Sequence, residues 1–118
     1  MHILDSISAI GEFIAGMSKN EYVNDRKTRS AVERQLLIIS EAWTRIRVHE
    51  NASGFPKEGR LENRAPDVPW FEIRALGNIL RHEYDEIDAE IIWDTVSGSD
   101  LADLQAALLR AFPHLAER

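Results

Sequence analysis

The segment from Val68 to Val96 contains the side chains whose types could support chemistry. His82 carries an imidazole, which readily exchanges a proton near neutral pH. Asn78 precedes it by four residues, so a helix would place both on one face. Arg74 and Arg81 add guanidinium groups, whose forked donors suit anionic oxygens. These side chains could supply a general acid-base and cations that bind an anionic group.

Each of these side chains also has an ordinary structural explanation. A histidine near a helix C-terminus interacts favourably with the helix dipole without any catalytic role. Asn78 could be a polar residue at a helix end, and Tyr84 could be a core or interface ring with a hydrated hydroxyl. We interpret three further aromatics, Trp43, Trp70 and Trp93, as core or interface residues without chemistry.

The elements that would position these side chains are helices. Apolar residues recur with four-three spacing over residues 3–17, and again over residues 32–46 within a helix that we predict from about Asp25 to His49. Two such stripes pack on each other and on at least one more helix, and no β-type alternation competes. The other predicted segments are a junction or short turn at 20–24, a loop at 51–67, a helix at 69–82 capped by Asp67, a helix that Asp88 starts, and a helix at 100–112.

The composition restricts the class of protein. The 118 residues suit one domain, 1–118, and the lack of cysteine excludes disulfides and thiolate metal sites. A net charge of −6 argues against general coating of nucleic acid, although six basic and two acidic residues between Arg26 and Arg47 allow a local basic surface. A solvated helix face is the simpler explanation of that excess.

The chain also lacks the sequence motifs of membrane insertion, metal binding and phosphate binding. Asp5 and Glu12 interrupt the apolar N-terminal segment, so we expect no signal peptide, no membrane span and a cytoplasmic location. The four histidines have no paired ligand spacing, and no phosphate-binding glycine loop is present. We therefore predict neither a metal nor a cofactor.

The pattern around His82 resembles the signature of the HepT-like family of HEPN-domain toxins. That family has a proline-tryptophan pair, an arginine-asparagine pair, then three residues and a histidine, one residue and a tyrosine, and later isoleucine-aspartate and a tryptophan. Segment 37–42 resembles part of the family's long helix, and the similarity spans essentially the whole chain. The matching positions are Pro69, Trp70, Asn78, His82, Tyr84, Ile87, Asp88 and Trp93.

The resemblance implies both a fold and an activity. The fold would be an all-α, HEPN-type antiparallel bundle of four to five helices that forms a two-fold homodimer. The activity would be metal-independent RNA cleavage, in which a 2′-hydroxyl attacks the adjacent phosphate, with His82 as general acid-base. Asn78, on the same helix face as His82, could orient the imidazole or bind a phosphate oxygen. A minimal nucleotidyltransferase antitoxin would be the partner, and Tyr84 corresponds to the tyrosine to which it attaches adenylate.

One position departs from the family pattern. Gly77 stands where the family has its active-site arginine. Arg74 is our first candidate for the missing cation and Arg81 our second. Gly77 indicates either close helix packing, plausible in a dimer, or relaxed demand at a former active site. The alternative is therefore a degenerate HEPN-like dimer that binds a nucleotidyltransferase or nucleic acid without cleaving it; a helical adaptor unrelated to RNA is a third possibility.

Overall fold

The computed structural model describes residues 2–66, 68–82 and 88–113, without the side chains of His2 and His82. Within these ranges the chain forms seven α-helices, one short 3-10 helix and no β-strand, which confirms the all-α prediction. Five of the helices are long and match those predicted. The α-helices are α1 (His2–Ile14), α2 (Lys19–Val23), α3 (Arg26–Ala52), α4 (Leu61–Arg64), α5 (Trp70–His82), α6 (Ala89–Ser97) and α7 (Asp100–Ala111).

Helix α3 is the centre of the bundle, with α1 and α5 packed against it. The stripe of α1 is buried together with that of α3, and each fully buried aliphatic side chain contributes roughly 1.5–3 kcal/mol. Helix α1 ends at Ile14, three residues before the end of its apolar spacing, because Gly16 adopts a positive φ of 75° that closes the helix. The buried residues of the two stripes are Ile3, Ile7, Ile10, Val32, Leu36, Ile39 and Trp43.

Residues 20–23 of the predicted junction are instead part of the short helix α2, and Asn24 is its C-cap. A capping box starts this helix: the Ser18 hydroxyl accepts from the Glu21 amide at 3.2 Å, and the Glu21 carboxylate accepts from the Ser18 amide at 3.0 Å. Tyr22 is buried and its ring lies 5.4 Å from that of Trp93. Helix α2 thereby joins the long helix to α6.

Two predicted helix starts are confirmed by their caps. The Asp25 carboxylate accepts from the Thr28 amide at 3.0 Å at the start of α3, and the hydrogen bonds from Thr28 hold the pKa of Asp25 below its usual value. The Asp88 carboxylate accepts from the Glu90 amide at 2.9 Å at the start of α6. Asp67, which we predicted as the cap of the helix at 69–82, lies outside the described residues.

The described part of the predicted loop, residues 51–66, contains regular structure. It contains a 3-10 helix, Lys57–Gly59, and helix α4. The buried Glu50 carboxylate accepts from the Leu61 amide at 2.7 Å, and the Trp70 indole donates to the Ala65 carbonyl at 2.9 Å. These hydrogen bonds tie the segment to the ends of α3 and α5. Among the described residues, no helix is long and apolar enough to cross a bilayer.

Candidate active site

Three of the predicted site residues line one cleft between α3 and α5. Arg74, Asn78 and Arg81 all contribute from α5, where spacings of four and three residues put them on one side of the helix. We call these three residues the polar stripe. The cleft, which we call the arginine cleft, has a volume of about 360 Å³. It is lined by Glu41, Thr44, Arg45, Arg74, Asn78 and Arg81.

The guanidinium of Arg81 is held in place by two side chains. Its Nη2 donates to the Ser40 hydroxyl at 3.3 Å, and its Nη1 donates to the Asn78 amide oxygen at 3.4 Å. Both hydrogen bonds are long and Arg81 is itself exposed, so the two contacts orient the planar group without burying it. Ser40 is buried on α3, and our sequence analysis missed it. Its only signal was a hydroxyl residue between buried apolar neighbours, Ile39 and Trp43.

Gly77 permits the close approach of α3 and α5. A Cβ atom built on this buried glycine would lie 1.8 Å from the Ser40 hydroxyl oxygen and 2.5 Å from the Ser40 Cβ. The close packing that we considered for Gly77 is therefore present, but within one chain rather than between two subunits. An arginine at position 77 could not enter this arrangement unless the two helices moved apart.

Arg81 occupies the space beside that glycine. Its Nη2 lies 3.3 Å from the position of the missing Gly77 Cβ. Arg81 follows Gly77 by four residues, so its side chain can fold back over the preceding turn, the direction that helical side chains favour. A guanidinium is thus present near position 77 although the residue there is glycine.

The other cations of the cleft are less constrained. Arg45 and Arg74 are exposed, and neither takes part in a hydrogen bond or ion pair among the described residues. Glu41, which is partly buried, is the acidic residue of the lining. Three guanidinium groups against one carboxylate make the cleft locally positive in a chain that is negative overall.

The remaining predicted residues are only partly described. His82 is the last residue of α5, directly after Arg81 and one turn beyond Asn78, and its side chain is outside the description. Tyr84 lies outside the described residues altogether. The described part of the chain contains no cluster of three histidine or acidic side chains that could hold a metal ion.

A second surface feature lies on the other exposed side of α5. Phe71, Ala75 and Ile79, which we call the apolar stripe, lie about 90° further round the helix axis than the polar stripe. Phe71 is 83% exposed, and Ile91 of the neighbouring α6 is 60% exposed. These residues border an apolar groove of about 310 Å³, whose lining also includes Leu36, Ile39, Leu76 and Leu101.

The amino-acid sequence of the chain resembles those of known proteins. A Methanocaldococcus jannaschii protein provisionally named RNase MJ1380 is 35% identical over 94 residues, which cover 80% of this chain and 76% of that protein. A Thermococcus cleftensis protein provisionally named ribonuclease HepT is 31% identical over 94 residues, with the same coverage of 80% and 76%. No solved structure matches the chain significantly. The family described as "Ribonuclease HepT-like" matches residues 3–111, and the chain belongs to this HepT-like family.

Proposed function

We propose that this protein is a metal-independent endoribonuclease and the toxin of a toxin-antitoxin pair. The observation that carries the proposal is the arginine cleft, where Arg81 is fixed beside Asn78 and immediately precedes His82. Membership of the HepT-like family supports the reaction class. The family's substrate and the positive cleft are consistent with each other, since RNA is a polyanion.

The reaction that suits these groups uses the substrate's own nucleophile. His82 accepts the proton of a ribose 2′-hydroxyl, whose oxygen attacks the adjacent phosphorus. The bond to the 5′-oxygen breaks, that oxygen takes a proton from the imidazolium or from water, and the products carry a 2′,3′-cyclic phosphate and a 5′-hydroxyl. Negative charge accumulates on the phosphoryl oxygens during attack, and a fixed guanidinium stabilises it.

The contacts favour Arg81 over Arg74, our first candidate, as the cation for this step. Arg81 is held by Ser40 and Asn78, so little reorganisation is needed when charge develops. Arg74 lies seven residues earlier, about 10 Å along the helix axis, and suits a neighbouring phosphate instead. Asn78 then acts by orienting Arg81 or by donating to a phosphoryl oxygen.

The proposed assembly is a two-fold homodimer formed through the apolar groove. A side chain such as Phe71, 83% exposed beside Ile79 and Ile91, is unfavourable in water and favourable against a second copy. A two-fold axis through the apolar stripe would bring two copies of α5 together, with an arginine cleft on each side. RNA would then enter a shared basic surface.

The partner and location rest on the family resemblance. A minimal nucleotidyltransferase antitoxin would bind the dimer and attach adenylate to Tyr84, two residues beyond the proposed acid-base. Modification there would add negative charge two residues beyond His82 and oppose RNA binding. Both proteins would act in the cytoplasm.

The test is cleavage of a mixed RNA pool by the purified protein in excess chelator. The natural protein and Arg110→Ala, which changes an exposed arginine on α7, should cut the RNA equally. His82→Ala should remove the activity, because the imidazole takes the 2′-hydroxyl proton in the proposed reaction. Equal cutting by all three proteins would contradict the assigned roles.

A second candidate function is favoured by Gly77. If the cleft has lost catalysis with the family arginine, the protein would bind RNA or a nucleotidyltransferase without cleaving. Expression would then be harmless to cells, whereas the partner would still co-purify. Growth arrest by the natural protein but not by His82→Ala would exclude this function.

A further inference from the structure

A second pocket continues the arginine cleft along α3. Thr44 and Arg45 line the cleft, and Arg45 also lines the next pocket, followed one turn later by His49. The two cavities therefore adjoin at Arg45. This aromatic pocket has a volume of about 370 Å³ and is lined by Arg45, Ile46, His49, Glu50, Phe55, Gly59, Leu61, Arg64 and Phe112.

The pocket combines flat rings with cations. The rings of His49 and Phe55 meet edge to face, with centroids 5.8 Å apart. Phe112 contributes a further ring, and the Arg64 guanidinium lies 5.4 Å from its centroid. Aromatic rings and guanidinium planes are the surfaces on which unpaired bases stack in proteins that bind single-stranded RNA.

The walls of the pocket are fixed by polar contacts. Arg64 donates to the Ala111 carbonyl at 2.7 Å, which joins α4 to the end of α7. Arg60 donates to the Phe55 carbonyl at 3.2 Å and also to the Asn51 side chain. The Glu50 carboxylate accepts from a backbone amide, as described above. A pocket formed before binding costs little ordering free energy when a ligand enters.

We propose that the aromatic pocket is a subsite for an unpaired nucleobase of single-stranded RNA, an inference that rests on the proposed ribonuclease function. The base stacks on Phe55 or Phe112 while the phosphate that follows it meets Arg45. An apolar side chain of a protein partner would gain nothing from Arg45 and Arg64. These cations therefore favour a nucleotide as the occupant. Charge complementarity and continuity with the cleft both favour RNA.

The position of the subsite determines which kinetic constant it affects. Ser40, which holds Arg81, and His49 are nine residues apart on α3, about 13 Å along the axis. That separation is greater than the distance from a phosphate to its own base, so the bound base belongs to a neighbouring nucleotide. The subsite therefore contributes substrate affinity and a minimum substrate length rather than chemistry at the attacked phosphate.

The test compares Phe55→Leu with Phe13→Leu, two phenylalanines of similar exposure, 37% and 39%. Leucine keeps the apolar volume but removes the flat ring. For RNA of at least five nucleotides, Phe55→Leu should raise KM about five- to tenfold or more with kcat unchanged. Phe13→Leu, on α1, should change neither constant. For a dinucleotide substrate, both variants should match the natural protein.

A binding measurement separates this inference from the proposed function. A 2′-O-methyl RNA pentanucleotide with 2-aminopurine at one position cannot be cleaved by 2′-hydroxyl attack, and its fluorescence falls when that base stacks. Quenching that Phe55→Leu abolishes would support the subsite even if the protein cleaves nothing. If the protein cleaves RNA but Phe55→Leu changes neither KM nor the quenching, the subsite is overturned and the function stands. If the protein neither binds nor cleaves RNA, both are overturned.

Discussion

The two exposed sides of α5 differ in chemistry. The polar stripe carries two arginines and an asparagine, and one of those arginines donates to a buried hydroxyl of α3. The apolar stripe carries the exposed side chains of Phe71 and Ile79. Side-chain type and support from α3 therefore distinguish the proposed reaction surface from the proposed dimer surface.

Removing the guanidinium of Arg81 should have the largest effect, which is on RNA cleavage. We expect Arg81→Ala to lower kcat/KM for RNA about 100-fold or more, since it removes stabilisation of transition-state charge. Arg74→Ala should cost about tenfold or less, because its phosphate contact contributes binding only. Steady-state cleavage of one oligonucleotide measures both. A larger loss for Arg74→Ala would reverse their roles.

Adding a side chain at Gly77 should have the next largest effect, which is on the free energy of unfolding. Gly77→Ala should lower the free energy of unfolding by about 2 kcal/mol, because the new Cβ collides with the Ser40 Cβ and the helices must separate. Adding Ser40→Gly removes the colliding atoms, so the double variant should recover most of the loss. Urea unfolding of the single and double variants measures this coupling. Additive losses would show that the two residues do not meet.

Charging the apolar stripe should weaken the dimer without reducing the charge of the cleft. Phe71→Glu should raise the dimer dissociation constant about tenfold or more, because a carboxylate would be desolvated in the interface. Sedimentation at several concentrations measures the dissociation constant. Arg110→Glu, which introduces the same side chain at an exposed position of α7, is the control. A natural protein that is monomeric at micromolar concentration would contradict the dimer itself.

The smallest effect is expected for Tyr22, in the core and away from both stripes of α5, and it concerns the free energy of unfolding. Burial raises the pKa of Tyr22 above its usual range, with the Glu33 carboxylate as a second cause. Its hydroxyl is buried and has no hydrogen-bond partner in the described part of the chain. Tyr22→Phe should therefore leave the free energy of unfolding unchanged or raise it by up to about 1 kcal/mol. Thermal unfolding measures this, and a clear loss would reveal a bond to the hydroxyl.

Local sequence signals predicted the fold well. The apolar spacing along α1 and α3 and the capping side chains of Asp25 and Asp88 identified helices from contacts within a few residues. Helix α2 was missed although its capping pair, Ser18 and Glu21, was visible in the sequence. Helix α4 was missed because the glycines and prolines around it indicate a loop.

The site was less predictable because it depends on distant contacts. The closeness of Gly77 to Ser40 joins residues 37 positions apart, so no local pattern shows it. The spacing to His82 also could not distinguish Arg74 from Arg81, because the difference between them is the hydrogen bond from Arg81 to Ser40. The roles of His82 and Tyr84 stay predictions, since neither side chain is described.

The central claim, that the arginine cleft cleaves RNA by 2′-hydroxyl attack, is tested most directly by end-group analysis of the products. The natural protein, in chelator, should cut an RNA oligonucleotide to leave 2′,3′-cyclic phosphate and 5′-hydroxyl ends. The same sequence with 2′-O-methyl groups should stay intact, because its oxygens cannot attack. Cutting of the methylated strand, or no cutting of the RNA, would contradict the account.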